Sequence, residues 1–153
     1  MIRKSSISLF FVIIFITAIV TQVRPDEIVI AYPSQAILIA SYKGDTEEVM
    51  KILATKPDKN VRNTYGDTAL HVAVFQNNLS VVKLLLDYGF DPNAKTRKGH
   101  TPLHNAVFSN NLTAARLLLQ YGANKLSRAQ DGITPLELAK REEKREMLML
   151  LSR

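Results

Sequence analysis

His71 and His104 are the two side chains here that could exchange a proton near neutral pH from a repeated local setting, because each stands three residues after a threonine, Thr68 and Thr101. A histidine in its ordinary titration range can act as a general base, and a pair can begin a metal site. Either chemistry needs more: a nucleophile beside the base, or further ligands in the metal's geometry. The sequence has no Cys, no HExxH, no glycine-rich phosphate loop and no Ser/His/Asp set with independent support. A hydrolase with His104 as base therefore lacks its other half, and neither metal nor cofactor is expected. The third histidine, His100, falls in a turn and is expected to be solvated.

The surroundings of the two histidines repeat along with them. "TALHVAVFQNN" (Thr68 to Asn78) returns as "TPLHNAVFSNN" (Thr101 to Asn111) at an offset of 33 residues. The same step aligns Gly66, Gly99 and Gly132, then Thr68, Thr101 and Thr134, then Ala73, Ala106 and Ala139. "LLLDYGFDPN" (Leu84 to Asn93) recurs as "LLLQYGANKL" (Leu117 to Leu126). Stepping backwards places Ala40 under Ala73 and Asn60 under Asn93, which reveals a fainter copy beginning near Ser34. Four units follow, at about 34–66, 67–99, 100–132 and 133–153, and a period of this size marks a tandem array.

Each unit predicts two short helices. Thr101 before Pro102 is a helix start, since the hydroxyl can accept from early N–H groups and proline has neither an N–H to leave unpaired nor a φ to adjust. Leu103, Ala106 and Val107 then recur at helical spacing. Gly44 and Asn110 tolerate the left-handed conformation that reverses the chain, and Asp45, Asn78 and Asn111 are expected to cap the second helix, with Glu48 completing a near capping box at Asp45. Val82, Leu85 and Leu86 make the second helix's apolar face, matched by Ala115, Leu118 and Leu119. Gly89 and Gly122 close it as left-handed caps.

This pattern resembles the ankyrin repeat, a unit of about 33 residues whose first helix opens T-P-L-H-x-A. "TPLHNA" is complete, "TALHVA" departs at Ala69, "TPLELA" carries Glu137 in the histidine position, and "QAILIA" keeps the apolar pattern and the final alanine. Fading at both ends suits capping units whose outer faces meet water. In the last unit "KREEKRE" is charged, while Met147, Leu148, Leu150 and Leu151 still offer an inner face. The resemblance implies an all-α solenoid of about four helix-turn-helix units. It also implies that His71 and His104 hydrogen-bond within their own turns rather than perform chemistry.

The same resemblance implies a non-catalytic module that binds a protein partner through the turn fingers and the exposed side of the first helices. Two residues after the recurring alanine stand Tyr42, Phe75, Phe108 and Arg141, so three aromatics form an expected ladder. The fingers add Tyr65 and the cations Arg62, Lys95, Arg97, Lys98 and Arg128, against Asp67 and Asp131. Aromatics bordered by cations suit a binding surface, because rings anchor by burial and cations steer acidic groups. Packing between repeats is the competing task for Phe75 and Phe108. Lys51, Lys83 and Arg116 fall on the opposite, convex face and read as solvated helix. Small exported bacterial ankyrin proteins look similar, which implies a protector of an envelope enzyme, or an immunity or inhibitor protein against an exported effector.

The N-terminus has a different composition. After Arg3 and Lys4, the 19 residues from Ser5 to Val23 carry no charge. A basic start followed by an apolar run predicts a leader helix within 1–24, either a cleaved signal peptide or an uncleaved anchor through residues 5–23, and so an exported, periplasmic, secreted or membrane-anchored domain. Residues 25–33 read as a connector, with Ile28 to Ala31 extended. Membrane contact is expected only through that leader.

Charge excludes one further class. The chain's formal +6 drops to +3 when Arg3, Lys4 and Arg24 are removed, leaving 17 basic residues against 14 acidic. That is no nucleic-acid footprint. The basic fingers leave anionic phospholipid as a separate possible target. Without Cys there is no disulfide framework. "NLS" at Asn78 and "NLT" at Asn111 match the N-glycosylation pattern but sit in turns that the repeat already explains. A monomer is expected, with the identity of its protein partner left open.

Overall fold

A computed structural model describes residues 35–152, within a unit that spans Ser34–Arg153. The expected leader (1–24) and connector (25–33) lie outside the described residues. Among those described there are eight helices and no strand. They come in four pairs: α1 (Ala36–Lys43) with α2 (Thr46–Ala54), α3 (Ala69–Phe75) with α4 (Leu79–Asp87), α5 (Pro102–Phe108) with α6 (Leu112–Gln120), and α7 (Pro135–Arg141) with α8 (Arg145–Leu151). The first helices pack on one another in a row, and the second helices form a parallel row behind them. None of these helices is long and apolar enough to cross a membrane.

Local chemistry sets where each helix begins. Thr68, Thr101 and Thr134 are extended residues immediately before α3, α5 and α7, and Pro102 and Pro135 occupy the first helical position. Gly44 (φ 72°) and Asn110 (φ 50°) take the left-handed turn between the helices, joined by Asn77 (φ 61°) and Glu143 (φ 55°). Gly89 and Gly122 end the second helices at φ 83° and 84°, whereas the first unit puts Lys56 there at φ 54°. Glutamate and lysine have a Cβ that crowds in this conformation, at a cost of about 1–2 kcal/mol, and both fall in the outer units.

The second-helix caps divide. Asp45 accepts the Glu48 N–H at 3.0 Å, and Asn111 accepts the Ala114 N–H at 2.9 Å. Glu48 returns no bond, so the expected box at Asp45 is one-sided. Asn78 does not cap α4 with its side chain. Its amide instead donates to the Ser41 and Tyr42 carbonyls at 2.8 and 3.2 Å, satisfying the end of α1 in the preceding unit.

One continuous apolar seam runs between the two rows. Leu70, Leu85, Leu103 and Leu118 are wholly enclosed, and Met147 and Leu151 extend the seam into the last pair. Ala73, Ala106 and Ala139 are all fully buried, so a side chain no larger than methyl separates each first helix from its neighbours. Between pairs the chain juts out as a finger. The Asn63, Thr96 and Ala129 amides donate across each finger to the Asp67, His100 and Ile133 carbonyls at 3.0, 2.9 and 3.0 Å. Neighbouring fingers then join through Arg97 N–H to Tyr65 O (3.1 Å) and Gln130 N–H to Lys98 O (2.9 Å). Gly66 has to be glycine, because a Cβ would lie 2.6 Å from the Arg97 nitrogen and its φ is +84°.

Candidate functional site

The two histidines sit beneath the fingers, buried to 0% and 1% exposure. Nδ1 of His71 accepts the Thr68 N–H at 3.2 Å, with the Thr68 hydroxyl 2.9 Å away; His104 repeats this with Thr101 at 3.1 and 2.9 Å. An acceptor at Nδ1 puts the proton on Nε2. That N–H donates onward to the carbonyl of the next finger, His100 for His71 and Ile133 for His104, each at 3.1 Å. Each ring therefore ties its own helix start to the following unit. The bond within the turn was expected from the sequence, but the bond between units was missed. Burial holds His71 down at about 4 and pushes His104 down as well, so both are neutral at pH 7 with every ring nitrogen engaged. Neither ring is free to take a substrate proton.

Glu137 occupies the same register in the last unit. Its carboxylate accepts the Thr134 N–H and hydroxyl at 2.7 and 2.8 Å, which lowers its pKa. It closes the near half of the arrangement only.

His100 is not the solvated residue expected. It is half-buried, with its ring stacked 5.5 Å from that of His104 and tilted at 60° to that of Phe108, 5.4 Å away. Desolvation there lowers its pKa, opposed by Asp131.

Three of the five finger cations are engaged with the scaffold. Arg62 donates to the Gly66 and Lys95 carbonyls at 2.9 and 2.6 Å, Lys95 to the Arg128 carbonyl at 3.0 Å, and Arg128 to the Gly132 carbonyl at 2.7 Å. They share one register, 33 residues apart; Arg62 and Lys95 stitch their finger to the next, while Arg128 closes its own. All three remain exposed, so their charge still faces solvent. Arg97 and Lys98 are exposed and make no side-chain hydrogen bond or ion pair among the described residues.

The ladder residues are brought together. Tyr42, Phe75 and Phe108 stand on α1, α3 and α5 with 62%, 58% and 41% of their surface exposed, and Tyr65 leans in from the first finger at 74%. They line a groove of about 560 Å³ between first helices and fingers, together with His100 and Asp67. A second hollow of about 360 Å³ adjoins it, sharing His100 and Phe108 and adding Lys98, Gln130, Asp131 and Arg141. No three His, Asp or Glu side chains gather as metal ligands among the described residues.

Four stacked helix pairs, fingers bonded edge to edge, and a histidine bridging each interior unit to the next describe a solenoid built by one rule. The family model for ankyrin repeats (3 copies) matches residues 37–129 and 89–153. The chain belongs to the ankyrin repeat family. No curated protein matches it. Ankyrin repeats are generally protein–protein interaction modules and typically non-catalytic. In this ankyrin array the two N-glycosylation motifs are part of the lateral stitching: the Asn78 amide holds α1, and the Asn111 amide donates to Asn77 Oδ1 at 2.6 Å. The convex face carries ordinary surface ion pairs, Lys51 with Glu47 and Lys83 with Asp87, and an interunit bond from the Tyr121 hydroxyl to Asp87.

Proposed function

We propose that this ankyrin array is a non-catalytic module that holds a partner protein in the groove beneath its fingers, outside the cytosol. The observation that carries the first half is the aromatic groove. Tyr42, Tyr65, Phe75 and Phe108 are large, exposed side chains lining one groove, on elements whose backbone is fixed by interunit hydrogen bonds. Exposed aromatics on a rigid frame bury apolar area with little loss of side-chain freedom, which is the economy of an anchor surface.

Phe75→Ala and Phe108→Ala are each expected to weaken partner binding by about 1–3 kcal/mol with the fold largely retained. Titration calorimetry beside denaturant melts checks this once a partner is isolated by affinity capture. Unchanged affinity in the folded double variant would remove the groove as the contact surface and leave the finger tips or convex helices.

The second half rests on the leader in the sequence, Arg3 and Lys4 before an uncharged Ser5 to Val23. Deleting residues 1–23 is expected to strand the domain in the cytosol. Fractionation with N-terminal sequencing reads the outcome and separates a cleaved leader from a retained anchor; equal envelope accumulation of the shortened chain would refute export.

A further inference from the structure

We infer that the partner segment held in the aromatic groove carries a carboxylate, received in the adjoining hollow by Lys98 and Arg141. This rests on the proposed binding groove and adds the chemistry of what enters it.

The ladder position changes character along the array. It is Tyr42, Phe75 and Phe108 in the first three units and Arg141 in the fourth, at the end of α7. A segment lying along the first helices would therefore cross three rings and then meet a guanidinium. Lys98, on the finger above, lines the same hollow as Arg141. Its ammonium makes no ion pair or hydrogen bond among the described residues, and Arg141 has only the exposed Glu142 at 3.4 Å. These cations are available, unlike Arg62, Lys95 and Arg128, whose donors are bonded to finger carbonyls.

One carboxylate, Asp131, shares the hollow. One of its oxygens accepts the Ile133 N–H at 3.1 Å, which keeps it at the finger's own turn. Among the side chains lining the hollow two cations face this one carboxylate, Glu142 standing outside the lining, and the neutral His100 ring also lines it. An acidic side chain entering beside Phe108 would thus meet the unpaired Lys98 ammonium and the Arg141 guanidinium together. There it is favoured over a neutral or basic one.

The class that fits is an acidic protein segment with an aromatic or aliphatic residue preceding or following its carboxylate. An anionic bilayer offers charge, but it lacks a side chain to enter the rings; that difference makes it an outcome of the test.

Random dodecapeptides displayed on phage would be selected against the full chain, with parallel selections on Lys98→Glu/Arg141→Glu and on Phe75→Ala/Phe108→Ala. Circular dichroism would check that each variant is folded. Enriched sequences are expected to pair an apolar residue with Asp or Glu. A synthetic copy of the leading peptide should lose tenfold or more in affinity when its acid becomes Gln, and by a similar factor on the charge-reversed protein. Peptides that need Phe75 and Phe108 but bind equally well as acid, Gln or Lys would overturn the inference while leaving the groove intact. Failure to enrich any sequence dependent on Phe75 and Phe108 would overturn the groove as well. Binding to phosphatidylglycerol vesicles that falls with Lys98→Glu/Arg141→Glu but is indifferent to Phe75→Ala/Phe108→Ala, with no acidic peptide selected, would assign the cations to a membrane surface instead and refute the acidic segment.

Discussion

Lowering the pH from 7 towards 4 is expected to strip stability from the array, because His71 and His104 must stay neutral to hold their bonds. A depressed histidine pKa means that the unfolded chain takes up protons before the folded one does. The contribution is fully present above the ordinary value of 6.5 and is lost as pH falls to the folded value, about 4 for His71. The loss attributable to His71 alone is on the order of 3 kcal/mol, a large part of the roughly 5–15 kcal/mol that holds a domain together. His104 and His100 shift in the same direction and add to it.

Urea melts at half-unit steps of pH supply the measurement. Wild type should show a falling free energy through this window, and His71→Gln/His104→Gln should begin less stable at pH 7 but fall less steeply. The depressed carboxylates Asp87 and Glu137 act below their ordinary values of 3.8 and 4.5, so their acid loss lies lower on the scale. A flat profile from pH 7 to 5, or equal slopes in wild type and double variant, would contradict the histidine account.

Leu103→Ala is expected to cost about 2–5 kcal/mol, the range for truncating a fully enclosed leucine in a packed core. Leu103 is 0% exposed, on a helix packed between α3 and α7, so neighbours on two sides would face the vacancy. In a linear array the position of the lesion matters as much as its size. Met147→Ala, on α8, removes comparable bulk from a helix with fewer neighbours. Hydrogen exchange should distinguish them: Leu103→Ala should speed opening from α1 through α8, and Met147→Ala mainly in α7 and α8. If Leu103→Ala leaves the protection of α1 to α4 untouched, the units fold independently and the single seam is not one cooperative core.

The helix pairs were legible in the sequence because their determinants are local. Thr101 and Pro102 mark a start within two residues, and Gly89 or Gly122 marks an end at one. Contacts between units were not, since Asn78 reaches 36 and 37 residues back and Arg62 reaches 33 ahead. Read within its own unit, Asn78 could only be a cap, and Arg62 could only be a free charge. Their recurrence supplied a usable signal: Arg62, Lys95 and Arg128 keep one register, as scaffold parts do, whereas Arg97 and Lys98 have no cationic counterpart in the first and third fingers. The aromatic ladder was visible at a spacing of 33, but its junction with Arg141 in one trough depended on the fold. His100 was misread because nothing nearby in sequence announces that its ring lies against that of His104.

The bonds that join the fingers repeat by one translation along the chain. Nε2 of a histidine and the side chain of Arg62 or Lys95 reach the next finger's carbonyl, and the Arg97 and Gln130 amides reach back to the preceding finger's. Each unit thereby presents a finished template to its successor. A duplicate of residues 100–132 inserted after Gly132 would find these donors and acceptors already in register, and would lengthen the groove by one aromatic rung before the arginine. The molecule's reach is in that sense a copy number, open to change by duplication without redrawing any junction.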